Sequence, residues 1–208
     1  SNNYYFRSEV VEEGYIVMGE EQIVIDEANC LVAGDASGSF NTAPMISIND
    51  DGFGVMGIIG LFPGGDENNS EISNFHQPIF KITTDGGWTW HGPDATDECS
   101  FYRLGDEVFE DMISTFPEVY TDECGGYEYY IMDFWSYYDF DYKLDANGNI
   151  HILMSVVPSD DYYIFWIDGA GWYHFTIDSA NLDNPGQVNT STGWNYSKVA
   201  DMQDTWIF

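Results

Sequence analysis

The side chains best supplied for chemistry in this sequence are carboxylates. Thirty-six Asp and Glu stand against five Lys and Arg in 208 residues, a net charge of -31. Two carboxylates flanking a glycosidic bond suffice for glycoside hydrolysis. Asp133, Asp139 and Asp141 lie beside Phe134, Trp135, Tyr137 and Tyr138, whose rings could stack on sugars. The same pattern also reads as sheet core with acids turned to solvent, and no one acid pair stands out. Carboxylates also bind cations. Asp145, Asn147 and Asn149, in Asp145-Ala146-Asn147-Gly148-Asn149, are the candidate Ca²⁺ ligands, and Asn49-Asp50-Asp51-Gly52 is similarly rich in oxygen. Neither loop ends on the glutamate that closes an EF-hand. A hairpin turn explains both, and Asp66-Glu67 and Asp160-Asp161 read as solvated loop charges.

Other reactive groups are few. The histidines are His76, His91, His151 and His174, with no HxH or HExxH pattern. His151 and His174 fall on expected strands and could meet across a sheet, although a satisfied structural role is the simpler reading for each. The cysteines are Cys30, Cys99 and Cys124, with no CxxC spacing that would suggest zinc. Thr96-Asp97-Glu98-Cys99 and Thr121-Asp122-Glu123-Cys124 bracket one excursion of the chain. In an exported protein a Cys99–Cys124 bridge would staple that excursion; the alternative is two reduced thiols, with Cys30 a buried thiol. None has a neighbouring base, which argues against a catalytic thiolate.

The charge excludes some partners. A chain this acidic repels nucleic acid and anionic membrane surfaces. No apolar run is long enough to make a membrane-spanning helix. The sequence starts at Ser1 without an initiator Met and stops at Phe208 in a strand-like run, so we expect a processed or partial chain.

The elements that must position these groups are strands. Aromatics make up 17% of the residues and fall in short alternating runs, which favours β structure. Two stretches resemble each other. About 41–93 reads as APMISIND, GFGVMGIIGLF, QPIFKITT and WTWHG. About 138–178 reads as DFDYKLD, NIHILMSVV, DYYIFWID and GWYHFTID. Asp50-Asp51-Gly52 and Ala146-Asn147-Gly148 supply matching hairpin turns. Asp85-Gly86-Gly87-Trp88 is matched to Asp168-Gly169-Ala170-Gly171-Trp172. Phe140, Tyr142 and Leu144 alternate with polar residues, as a half-exposed strand does, whereas Val55–Phe62 and Tyr162–Ile167 are apolar throughout and should be covered on both faces. Four-stranded antiparallel units buried on both faces fit the blades of a β-propeller. We therefore expect an all-β chain forming one propeller domain or segment over 1–208. GYIVMGE and QIVIDEANCLVAG read as two strands of an earlier blade, and Ser197–Phe208 as the first strand of a further one. Stretch 95–137 is an insertion or a degenerate blade. Within it, Val108, Phe109, Met112, Ile113 and Phe116 predict a short amphipathic helix over 105–116, stopped by Pro117, and Tyr127–Trp135 predicts a strand.

The run Thr83-x-Asp85-x-Gly87-x-Thr89-Trp90 resembles the Asp-box of sialidase-like (BNR) propellers, which also occurs in several secreted hydrolases and adhesins. The resemblance implies that the motif joins the two outer strands of a blade as a structural staple, away from any catalytic centre. Asp85 would accept bonds from its own turn, the glycines would take conformations closed to other residues, Trp90 would pack inward and Trp88 would face away. Sialidases clamp their substrate carboxylate with three arginines, whereas only Arg7 and Arg103 are present here, so sialidase activity is not expected. The run Asp145–His151, D-x-N-G-N-x-H, is similar to runs in secreted propeller proteins of Bacteroidota-like bacteria. This likeness implies a secreted or cell-surface protein exported as cargo of a type IX system. The expected function is binding of a glycan or protein partner, with Trp135, Tyr137 and Tyr138 as contacts. The alternative is a glycoside hydrolase using an Asp/Glu pair.

Overall fold

The computed structural model describes residues 3–11, 15–31, 42–61, 76–136, 139–160, 163–182 and 193–202. In chain order they form β1 (Asn3–Val11), β2 (Tyr15–Ile25), α1 (Glu27–Cys30), β3 (Met45–Ile48), β4 (Gly54–Leu61), β5 (His76–Thr83) and β6 (Tyr102–Arg103). There follow α2 (Asp106–Ser114), β7 (Val119–Thr121), β8 (Glu128–Tyr130), β9 (Asp133–Trp135), β10 (Phe140–Leu144), β11 (Ile150–Ser159), β12 (Gly171–Ile177), α3 (Ser179–Leu182) and β13 (Trp194–Asp201). The fold is mostly β. β3–β4–β5–β6 form one antiparallel sheet and β10–β11–β12–β13 another, with β9 paired to the end of β11. β1–β2 and β7–β8 are two-stranded ribbons.

The two sheets repeat each other down to single hydrogen bonds. In the first hairpin the Asn49 Oδ1 accepts from the Asp51 and Phe53 amides, and Asn49 N donates to the Phe53 carbonyl. In the second, the Asp145 Oδ1 accepts from the Asn147 and Asn149 amides, and Asp145 N donates to the Asn149 carbonyl. Gly52 and Gly148 close the two turns at φ 87° and 81°, a region that glycine enters without strain.

The registers place Ile48 opposite Gly54 and Leu144 opposite Ile150. Val55, Gly57 and Ile59 of β4 therefore correspond to His151, Leu153 and Ser155 of β11. Phe80 and Ile82 of β5 likewise correspond to His174 and Thr176 of β12. The sheets stack front to back. The Val55, Ile59, Phe80 and Ile82 face of the first packs on Tyr142, Ile152, Met154, Phe175 and Ile177 of the second. The other face of the first sheet, with Met56, Ile58 and Ile79, packs on Val24, Ile25 and Leu31. The expected covering of β4 on both faces is thus present. Tyr142 crosses the interface to donate to the Ile58 carbonyl at 3.2 Å.

The strand assignments need correction in several places. WTWHG is not a strand: the Asp85 turn folds 84–90 back on itself, His91 makes one bridge to Ile82, and the fourth strand is β6. The run 162–167 is not a sheet strand either. β12 pairs with β11 over Ile150–Val156, and Ile164 makes only one bridge, to Ser159; Tyr162 lies outside the described residues. β12 is consequently the third strand, and β13 is the fourth strand of this sheet rather than the first of another. Asp168–Trp172 lies between the second and third strands, so it is no counterpart of the Asp85 turn, which follows the third. YIVMGE and QIVI are one strand, β2, paired along β1 with a register shift between Phe6 and Ser8; Gly14 and the end of the second expected strand, 32–34, lie outside the described residues. The expected 127–135 strand is broken into β8 and β9.

The helix forms as expected. Val108, Phe109, Met112 and Phe116 are buried, and Glu107, Glu110 and Asp111 face outward. Phe109 stacks on Phe134 of β9 at 4.7 Å. The cysteine pairing differs: Cys99 is bonded to Cys30, and Cys124 is free and exposed. The reason lies in the tertiary structure. α1 sets Cys30 beneath the 94–101 loop, where Lys81 Nζ also donates to the Glu98 carbonyl at 2.7 Å. Cys124 sits in the turn of the β7–β8 ribbon, held by its amide on Asp122.

Candidate functional site

The Asp85 turn is built as its residue types predict. Asp85 Oδ1 accepts from the Thr83 hydroxyl and the Trp88 and Thr89 amides, and Oδ2 accepts from the Thr89 hydroxyl at 2.7 Å. Gly86 and Gly87 have φ 73° and 87°, and a Cβ on Gly87 would lie 2.6 Å from the Tyr5 hydroxyl. Trp90 packs edge-on to Tyr5 at 5.5 Å against the β1–β2 side of the core. Trp88 is half exposed, with the Arg7 guanidinium 4.1 Å over its ring. The motif joins the third strand to the fourth and docks on the first hairpin through Gly86 N and the Gly52 carbonyl. Its groups are engaged with one another, and the whole is a structural staple.

A surface with groups turned outward lies on the β7–β8 ribbon. Its turn is set by Asp122, whose carboxylate accepts from the Cys124 and Gly125 amides. Tyr120 and Tyr129, paired across the ribbon, stack at 6.3 Å and rest on buried Phe165 at 5.2 Å each. Tyr163 meets Tyr129 edge-on at 5.9 Å, and its amide is held by Asp160. Tyr127 and Tyr163 are 67% and 60% exposed. Desolvation raises the Tyr129 hydroxyl pKa first, and Asp122, Tyr163, Asp160 and Tyr127 add to it. A ledge of tyrosine faces bordered by two carboxylates results. It can stack on a flat, weakly polar ligand and accept hydrogen bonds from that ligand's hydroxyls.

The sequence-predicted contacts are placed elsewhere. Trp135 is half buried, paired with Val157 and stacked on buried His76 at 4.7 Å. Tyr137 and Tyr138 lie outside the described residues. Asp133 accepts from the Phe134 amide, and Asp141 lies 3.4 Å from Lys143. The oxygens offered to Ca²⁺ serve the hairpin: Asp145 Oδ2 accepts from Asn149 Nδ2, and Asn149 Oδ1 from the Ser179 amide. Among the described residues, no group of three or more His, Cys, Asp or Glu is placed to hold a metal ion. His151 and His174 do meet, 2.9 Å apart between Nδ1 and Nε2. The tyrosine ledge was not foreseen. Its signal was Tyr127-Glu128-Tyr129-Tyr130 beside an Asp122 turn, together with Tyr163 behind an acidic pair, which the sequence also allowed as strand core.

No protein-family model, curated protein or solved structure matches this chain.

Proposed function

We propose that the chain is part of an exported β-propeller that binds a partner, and that the partner is a neutral glycan stacked on Tyr127, Tyr129 and Tyr163. Two four-stranded meanders with matching hairpins, each offering the same face to the next, support the propeller reading. The Asp85 motif in its expected place between third and fourth strands supports it as well. The Cys30–Cys99 bond supports export, because such bonds persist in oxidising surroundings. The type IX route rests on the Asp145–His151 resemblance alone.

The observation that carries the binding reading is the exposure of Tyr127 and Tyr163 beside the Tyr120, Tyr129 and Phe165 rings. A charge of -31 disfavours anionic polysaccharides and leaves neutral ones. The test is affinity electrophoresis against a panel of neutral and acidic polysaccharides. A neutral polymer should retard the protein, and Tyr163→Ala and Tyr127→Ala should each weaken retention about ten-fold, the worth of one stacked ring. Tyr163→Phe should keep it. The polymer should be recovered at unchanged length; shortening that depends on Asp133, Asp139 or Asp141 would favour the hydrolase instead. Equal retention of the wild type and the double alanine variant would overturn the proposal.

A further inference from the structure

The tyrosine ledge is bordered by carboxylates, and the chain's basic side chains are engaged elsewhere. After desolvation, the Tyr129 pKa is raised by Asp122, Tyr163, Asp160 and Tyr127, so these four groups gather about its hydroxyl. Asp122 accepts from the Cys124 and Gly125 amides, and Asp160 Oδ1 accepts from the Tyr163 amide. Those amides are neutral donors, so each carboxylate keeps its charge. The five Lys and Arg lie at other places. Arg7 covers Trp88, Lys81 donates to the Glu98 carbonyl and Arg103 to the Leu104 carbonyl, while Lys143 and Lys198 sit beside Asp141 and Asp201.

Tyr129 and Tyr163 stand at 76° with centroids 5.9 Å apart, so their rings form two walls of a corner. The face of an aromatic ring is its negative side and attracts a cation within about 6 Å of the centroid. We propose that this corner, bordered by Asp122 and Asp160, is a subsite for an ammonium group, and that the ledge holds a glycan bearing free amines more tightly than its neutral counterpart. The subsite rests on the stacking reading and narrows it. Tyr127 and Tyr163, the most exposed rings of the ledge, still meet the sugar itself. The ammonium supplies the positive charge that the chain does not place here, and its three N–H groups can reach carboxylate and phenol oxygens together. A sulfated or carboxylated sugar would meet repulsion at the same point. One exposed cation–π contact and one exposed ion pair are each modest, and together they give about a five-fold preference.

The test is a titration of the whole chain at about pH 6 with the β-1,4-linked glucosamine tetramer and, separately, with the β-1,4-linked glucose tetramer, which has a hydroxyl in place of each amine. At that pH ordinary amines are protonated and ordinary carboxylates ionised. Binding is followed through the ring resonances of Tyr127, Tyr129 and Tyr163. The amine form should bind about five-fold more tightly, and its advantage should shrink as salt is added. Asp160→Asn, whose side-chain oxygen can still accept from the Tyr163 amide, should bring the amine form close to the affinity of the neutral one. Glu110→Gln removes the same charge from the exposed face of α2 and should leave the preference intact. Equal affinity for the two sugars would overturn the subsite and leave the stacking reading standing. A preference reduced as much by Glu110→Gln as by Asp160→Asn would trace it to net charge and overturn the subsite as well. No shift of the ring resonances with either sugar would overturn the subsite and the stacking reading together.

Discussion

Asp85 shows how one carboxylate organises a turn. Desolvation alone would raise its pKa, but the Thr89 amide and hydroxyl, the Thr83 hydroxyl and the Trp88 amide outweigh that and hold it at about 2. An unfolded aspartate titrates near ~3.9. The folded value is the lower one, so the charge contributes stability above about pH 4, and that contribution is lost as pH falls toward about 2. Melting temperature should therefore fall more steeply between those values in the wild type than in Asp85→Asn. Parallel curves would show that the charge does not hold the turn. Asp85→Ala leaves two amides and two hydroxyls without their acceptor. It should cost about 1 kcal/mol in urea unfolding, a modest sum because water reaches this exposed turn.

At the scale of elements, the 94–101 loop is held by covalent and polar ties. The Cys30–Cys99 bond closes a loop of 69 residues in sequence separation. Replacing both cysteines with serine should cost about 4 kcal/mol in the chain-entropy account, or about 10 °C in melting temperature for a chain of this size. Thiol titration separates this pairing from the Cys99–Cys124 expectation. The native protein should present one reactive thiol, Cys124, and three after reduction and unfolding. No reactive thiol in the native state would favour the other bridge, which leaves Cys30 buried. Lys81, buried beneath the same loop, has its pKa lowered by desolvation and partly restored by Glu98, Asp97 and Asp26.

The whole molecule depends on the contact between the two sheets. Gly57 lies under the Tyr142 ring of the second sheet: a Cβ there would lie 2.6 Å from Tyr142 Cζ, and 2.9 Å from Phe80 Cβ on the neighbouring strand. Gly57→Ala should cost about 1–3 kcal/mol through overpacking. Tyr142→Phe should cost about 1 kcal/mol for its bond to the Ile58 carbonyl. Both are read in urea unfolding monitored by fluorescence. If the sheets are one cooperative unit, either variant shifts a single transition; a split transition would show that each sheet holds by itself.

Much of this was legible in local sequence, because the interactions concerned span a few residues. The Asp50-Asp51-Gly52 and Asn147-Gly148 turns, the Asp85 staple and the 3.6-residue periodicity of α2 all depend on neighbours along the chain. Alternation also marked β10, and an unbroken apolar run marked the burial of β4. Strand pairing was not legible, since 162–167 and 171–177 are both apolar enough to follow β11 and only the full-length register of β12 decides between them. The disulfide was missed for the same reason: Cys99 lies nearer Cys124 in sequence, but α1 brings Cys30 to it in space. His151 and His174 were recognisable as strand residues, and their coplanar meeting came from the diagonal register of β11 and β12. Local chemistry determined the turns; long-range packing, which selects among equally apolar partners, decided which surfaces face one another and which remain open to a ligand.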